Sequence, residues 1–277
     1  MPAAAAKHST GWRADLHLGF RRISGKSILA KRTRKGPLTV QRALYPEPDV
    51  CHVYLLHPPG GVAGGDLLTI SAQVKEGASA LITTPGATKF YRTAGPRAYL
   101  QQNLSLVEGD LEWLPQENIF FPGADVELTT QVELSREAKF IGWEINCLGR
   151  PVVAERFNPG KAVFNCRIVR EGIPVLQERL VVNGEHGLSG PAGLRNQPVF
   201  GSFYATIADS VLPELSTGII SRVQNNELGI TIVDGLLIAR YLGNSTETAR
   251  LIFRNLWKTL RPAILNRTPC VPRIWNT

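Results

Sequence analysis

Three carboxylates stand where a charge is costly. Asp66 closes the stretch His57-Pro58-Pro59-Gly60-Gly61-Val62-Ala63-Gly64-Gly65-Asp66. Glu144 lies within Phe140-Ile141-Gly142-Trp143-Glu144-Ile145-Asn146-Cys147-Leu148, where every neighbour is uncharged. Glu178 follows Val175-Leu176-Gln177 and precedes Arg179. An acid inside a strand core must be paired or liganded to offset its lost hydration. One outcome is a buried ion pair, with Arg150, Arg156 or Arg179 as partner. The other is a polar passage or transient cation site, because oxygen ligands hold a divalent transition ion loosely, which suits transit better than storage.

The loop that ends on Asp66 is rigid at one end and permissive at the other. Pro58 and Pro59 fix φ and remove two amide donors. Gly60, Gly61, Gly64 and Gly65 open backbone angles closed to other residues. A tight turn with a capping aspartate satisfies this pattern. So does a place where another backbone or a ligand approaches closely. A phosphate loop is excluded, because Asp66 stands where the Lys-Ser/Thr pair belongs and would repel phosphate. The spacing also lacks the Gly-x-Gly-x-x-Gly of a dinucleotide site.

Nucleophilic catalysis has no visible basis, since no Gly-x-Ser-x-Gly elbow occurs. Of the five histidines, His52 and His57 lie near Cys51 and form the one local metal-like group. On a strand, Cys51 and His57 share a face and His52 points the other way, so these candidates are no preformed chelate. The four cysteines Cys51, Cys147, Cys166 and Cys270 form no Cys-x-x-Cys pair, which leaves out a zinc ribbon or redox motif. They read as reduced thiols of a cytoplasmic protein.

Short alternating strands must position these groups. Trp12–Phe20 alternates. So do Leu67–Val74, Tyr99–Val107 and, most regularly, Val126, Leu128, Thr130, Val132 and Leu134. Ala78–Thr84, Lys139–Leu148, Ala162–Arg170, Pro174–Val182 and Val199–Ile207 continue the pattern, and Asp234-Gly235 turns between two further strands. Helical signals come late. Leu212–Val223 suits a short helix. Ser245–Leu260 places Ala249, Ile252, Phe253, Leu256, Trp257 and Leu260 on one face, with Ser245 or Thr246 as N-cap and Pro262 as terminator. The expectation is one mainly β domain over residues 1–277, with residues 1–10 loose and the helical element within 212–260. No fixed repeat period stands out.

The chain has 277 residues and a formal net charge of +8. Basic residues crowd the first 42 positions and the C-terminus, which favours an acidic partner. A basic β-rich nucleic-acid binder is therefore a second reading, although few aromatics interleave with the N-terminal cluster. No segment has signal-peptide or membrane-span character.

Four stretches in order carry a family resemblance. They are His57 to Asp66, Thr83-Thr84-Pro85-Gly86-Ala87-Thr88-Lys89-Phe90-Tyr91-Arg92, Trp113-Leu114-Pro115-Gln116-Glu117-Asn118-Ile119-Phe120-Phe121-Pro122-Gly123-Ala124, and Trp143-Glu144 with Leu148-Gly149-Arg150-Pro151. From Trp12 to Leu260 the chain resembles the UreD (UreH) family of urease accessory proteins. The resemblance implies a helicoidal, solenoid-like stack of strands with a helical pair near the C-terminus. It implies a non-enzymatic scaffold with no tightly bound cofactor. That scaffold would bind apo-urease and UreF, reach UreG through UreF, and pass transient Ni²⁺ through an internal channel.

Carried over by position, Asp66 matches the acid after the double glycine. Thr88 and Lys89 match the polar pair of the Pro85-Gly86-x-x-Lys loop. Glu144 stands where relatives carry aspartate, one methylene shorter, and Glu178 matches a glutamate before arginine. The resemblance makes Asp66, Thr88, Glu144 and Glu178 the expected lining of the passage, with the glycine and Pro85-Gly86 loops as structural motifs. A third reading, a metal-dependent enzyme, would unite Asp66, Glu144 and His57.

Overall fold

The computed structural model describes residues 11–93, 95–184, 188–190, 193–208 and 227–276. The first sheet contains β1 (Arg13–Ile23), β2 (Lys26–Lys35), β5 (Leu67–Val74), β8 (Ala98–Leu106), β11 (Asp125–Leu134), β13 (Lys161–Arg170) and β14 (Ile173–Asn183). The second contains β3 (Thr39–Val40), β4 (Cys51–Leu56), β6 (Ser79–Thr83), β9 (Asp110–Leu114), β12 (Lys139–Leu148), β15 (Val199–Thr206), β16 (Leu228–Val233) and β17 (Leu236–Gly243). The short strands β7 (Thr88–Phe90) and β10 (Asn118–Phe120) join the second sheet at β12. The sheets do not close into a barrel.

The chain climbs by alternating between sheets. It passes from β5 to β6, from β8 to β9 and from β11 to β12. The order β13-β11-β8-β5-β1 is parallel on one side and β12-β9-β6-β4 on the other. This is the helicoidal stack the family resemblance implies. Regular rungs nevertheless exist without a sequence period. Register demands only that inward positions align, and turns of unequal length absorb the rest.

Alternation decides which side chains enter the interior. Ala14, Leu68, Leu100, Leu128 and Phe164 form one cross-strand row, and Leu18, Ala72, Leu104, Val132 and Ile168 another. Between these apolar rows runs a third. It begins with Leu16 and Ile70, turns polar at Gln102, Thr130 and Cys166, and ends at Glu178 opposite Cys166. A second apolar layer lies between the far face of the second sheet and helix α1 (Thr246–Leu265). Strand β12 serves both layers: Phe140 and Leu148 face the first sheet, while Ile141, Trp143, Ile145 and Cys147 face the helix.

The hydroxyl of Ser245 caps α1 by accepting from the Thr248 amide at 3.2 Å, and Glu247 sits in its first turn. Pro262 does not end the helix, which runs one turn further to Leu265. Arg261, Ile264 and Leu265 are buried there and hold the extra turn in place. Asn266, at φ 54°, closes it by donating to the Pro262 carbonyl at 3.0 Å. The helix expected at Leu212–Val223 and the loose residues 1–10 lie outside the described residues. Among the described residues α1 is the single α-helix, and no helix is long and apolar enough to cross a membrane.

Candidate functional site

Glu144 projects from β12 into the gap between the sheets. Its Oε2 accepts from the Thr130 hydroxyl on β11 at 3.1 Å, and its Oε1 accepts from the Asn146 amide at 2.9 Å. The Asn146 oxygen in turn accepts from the Asn118 amide at 3.0 Å. Strand register places Thr88 beside Asn118, and Asn118 beside Asn146. Thr88, Asn118, Asn146 and Glu144 thus trace a polar line across β7, β10 and β12, which meets the polar row of the first sheet where Thr130 bonds Glu144.

A cavity opens at each end of this line. The first, of 670 Å³, is lined by Glu144, Asn146, Cys166, Glu178, Tyr204 and Arg240 among others. A void of 20 Å³, about one water in size, continues it past Glu144, Cys166 and Tyr204 to Thr130. The second cavity, of 530 Å³, is mostly apolar and lies under the two motif loops. His57, Gly60, Gly61, Pro85, Gly86, Thr88 and Lys89 line it.

The electrostatics of the first cavity are unevenly balanced. Burial pushes the Glu144 carboxyl up, and its bonds to Asn146 and Thr130 only partly offset this. No salt bridge reaches Glu144 among the described residues; of the three candidate arginines, Arg150 pairs with Glu155. Glu178 does form an ion pair, but with Arg240 of β17 rather than Arg179. Arg240 also donates to the Ser202 hydroxyl at 2.6 Å. Burial opposes the Arg240 charge, but Tyr204 and Glu178 outweigh it, so the guanidinium pKa stands above its ordinary value. Burial pushes the Cys166 thiol up to about 12, which keeps it a neutral thiol rather than a metal-trapping thiolate.

Asp66 is held by backbone amides. Its Oδ1 accepts from the Trp12 amide and its Oδ2 from the Ala63 amide, both at 2.8 Å. It is buried and lines neither cavity. The carboxylate closes the glycine loop and ties it to the chain entering β1. The glycines answer crowding and backbone demand: Gly65 has φ 88°, and a Cβ on Gly64 would lie 1.9 Å from the Thr93 hydroxyl oxygen. Val62 extends the loop onto β7 through its amide to the Lys89 carbonyl (2.7 Å) and its carbonyl to the Tyr91 amide (2.9 Å).

The metal-like trio separates. The Cys51 thiol contacts the Tyr45 hydroxyl at 3.8 Å, and His52 Nε2 meets Glu47 at 2.7 Å. His57, beyond the end of β4, faces the second cavity with its Nδ1 buried and unpartnered. Burial holds its pKa low despite Asp66 nearby. Among the described residues no three His, Cys, Asp or Glu side chains gather as metal ligands. Asp66, Glu144 and His57 also do not share a pocket: Glu144 lines the first cavity, His57 the second and Asp66 neither.

Sequence reasoning missed Arg240, Asn118, Asn146 and Tyr204. Thr130 carried a signal, being the one polar residue among the inward positions Val126, Leu128, Val132 and Leu134. Asn146 carried another inside its apolar strand. Arg240 carried none, because its partner is 62 residues away on the opposite sheet.

Comparison with known proteins follows this geometry. The family profile described as UreD urease accessory protein matches residues 13–276. A protein of Alcanivorax borkumensis named Urease accessory protein UreD is 46% identical over 280 residues, covering 99% of this chain and 95% of the relative. Relatives of the same name from Aliivibrio fischeri and Dechloromonas aromatica are each 44% identical. The first alignment covers 97% of this chain and 98% of the relative, the second 100% and 99%.

Proposed function

The chain belongs to the family of UreD urease accessory proteins, and from that premise, which gives it a role in urease maturation, we propose that it is a non-catalytic cytoplasmic scaffold that conducts Ni²⁺ towards apo-urease. It would hold apo-urease on one face and UreF, with UreG beyond it, on another. The observation that carries this reading is the polar line from Thr88 through Asn118 and Asn146 to Glu144, which joins two cavities across the interior.

The donor set fits transit. Hydroxyls, amides and carboxylates offer a hydrated divalent ion replacement oxygens, but the described residues assemble no three-ligand cluster to trap it. Tight storage would need thiolate or imidazole ligands, and the one thiol of the first cavity is held neutral. In this reading Glu144 and Glu178 draw the cation inward, while Asn146 and Asn118 relay it. Asp66 shapes the loop above the second cavity. The exposed basic strand β2 complements an acidic protein surface.

The test is co-expression of the full chain with UreF, UreG and the urease structural subunits, followed by pull-down, nickel analysis and urease assay. Glu144→Gln and Glu178→Gln should leave the complex assembled while lowering nickel content and urease activity together. Full activation by both variants refutes the passage. Failure of the wild-type chain to co-purify with urease or UreF removes the scaffold itself. Salt-dependent binding to random DNA near micromolar affinity at low salt would instead support the nucleic-acid reading.

A further inference from the structure

The Glu178–Arg240 ion pair spans the gap between the two sheets. Glu178 stands on β14, the outermost strand of the first sheet, and Arg240 on β17, next to the outermost strand of the second. The two side chains remain 34% and 40% exposed, which sets the pair at the open side of the cavity. Glu144, Cys166 and Tyr204 lead on from the same cavity into the small inner void. Register strengthens this placement. Glu144 lies beside Ser202, and Ser202 beside Arg240, so the acid and the guanidinium are two strands apart, about 10 Å, on one row.

We propose that Arg240 is an internal counter-ion that keeps the passage closed to cations: its guanidinium occupies Glu178, and a divalent ion gains that carboxylate only by displacing it. The proposal rests on the passage reading and adds the residue that regulates entry. A guanidinium cannot shed its proton at working pH. While it stays in place it neutralises Glu178 and repels any cation heading for Glu144. Its anchors are the Ser202 hydroxyl, the Glu178 carboxylate and Tyr204, which it meets by a side-chain hydrogen bond and whose ring centre lies 6.0 Å away, and exchange requires releasing only the carboxylate. A guanidinium that swings from Glu178 can keep Ser202 and Tyr204. The charge then given up at Glu178 is replaced by the incoming ion. A resting protein built this way binds little free metal, and occupancy rises when the pair is opened.

The experiment measures Ni²⁺ binding alone, in a non-chelating buffer, by calorimetry on the purified full-length chain. Arg240→Gln should bind Ni²⁺ more tightly than wild type by about tenfold or more. Adding Glu178→Gln should abolish the gain, and Arg240→Lys, which keeps the charge, should stay near wild type. If Arg240→Gln does not fold, Ser202→Ala, which removes one anchor and no charge, should show a smaller tightening. Unchanged affinity in the folded Arg240→Gln protein, or in Ser202→Ala where it is the substitute, overturns the proposal. When Glu144→Gln and Glu178→Gln still lower urease activation, that result leaves the passage standing. Normal activation by both acid variants removes the passage and the gate together.

Discussion

Among the described residues, the charged groups around Arg261 and around Arg240 are built in opposite ways. Beneath α1, the wholly buried Arg261 is held between Glu112 of β9 and Glu47 of the loop before β4. The distances are 2.8 and 2.9 Å to Glu112, and 2.6 and 2.9 Å to Glu47. The Trp257 indole also donates to Glu112, His52 meets Glu47, and the Thr268 carbonyl accepts from Arg261. Burial opposes the Arg261 charge, but Glu112 and Glu47 outweigh it and raise its pKa. Between the sheets, Glu144 has only neutral partners, and Glu178 shares a half-exposed cation. In the first cluster both carboxylates reach the one guanidinium. In the second only Glu178 does, and Glu144 borders the cavity with neutral partners. A buried charge with full partners fixes one packing arrangement; a buried acid without a cation leaves room for one to arrive.

This contrast can be broken most sharply at Arg261. Arg261→Met leaves the buried Glu112 and the partly buried Glu47 without their guanidinium, and should destabilise the chain by about 3–5 kcal/mol. Chemical denaturation measures it. Replacing Glu47 and Glu112 by Leu in the same protein should restore most of the loss. If Arg261→Met alone is neutral, the guanidinium is not what holds the two carboxylates.

Asp66 tests whether a carboxylate matched by backbone amides belongs with the closed cluster. Asp66→Ala strands the amides of Trp12 and Ala63 and should cost about 1–3 kcal/mol. Urease activation should fall only as far as folded protein is lost. Activation that falls further than stability would place Asp66 on the passage instead.

The smallest effect, and one of opposite sign, belongs to Glu144. Its folded pKa is raised, chiefly by burial. The native state therefore holds the proton in a pH range where the unfolded chain has released it, and stability falls as pH rises through that range. Above the folded pKa the full penalty applies. Glu144→Gln should therefore gain about a degree or two in Tm at pH 8, and the gain should vanish near pH 4, below the window. A loss of stability at pH 8 would mean that the neutral partners compensate the charge fully. The same variant tests function in the opposite direction, since a more stable protein that activates urease poorly separates the two roles.

Much of this architecture was legible in the chain. Period-two alternation located the strands because each side chain must choose a face, and that choice is written locally. The Ser245 cap and the apolar stripe of α1 were equally local. Pro262 misled because its rule is local too: buried Arg261, Ile264 and Leu265 hold the helix beyond it. The motif loops identified the family, and Glu144 stood out as an acid in an apolar strand. The partner of Glu178 was not among the candidates Arg150, Arg156 and Arg179, which lie close to the acids in sequence. Arg179 lines the same cavity but forms no salt bridge among the described residues, and Arg240 reaches Glu178 from the other sheet.

The sequence by itself determined the fold class, the family and the acids that needed explaining, since each follows from residue type and near-neighbour spacing. Only the tertiary structure decided which groups each acid meets. It joined Asp66 to two backbone amides, gave Glu178 a cation from a distant strand and left Glu144 facing a cavity. Register between strands far apart in the chain sets those partners, and no local pattern encodes it.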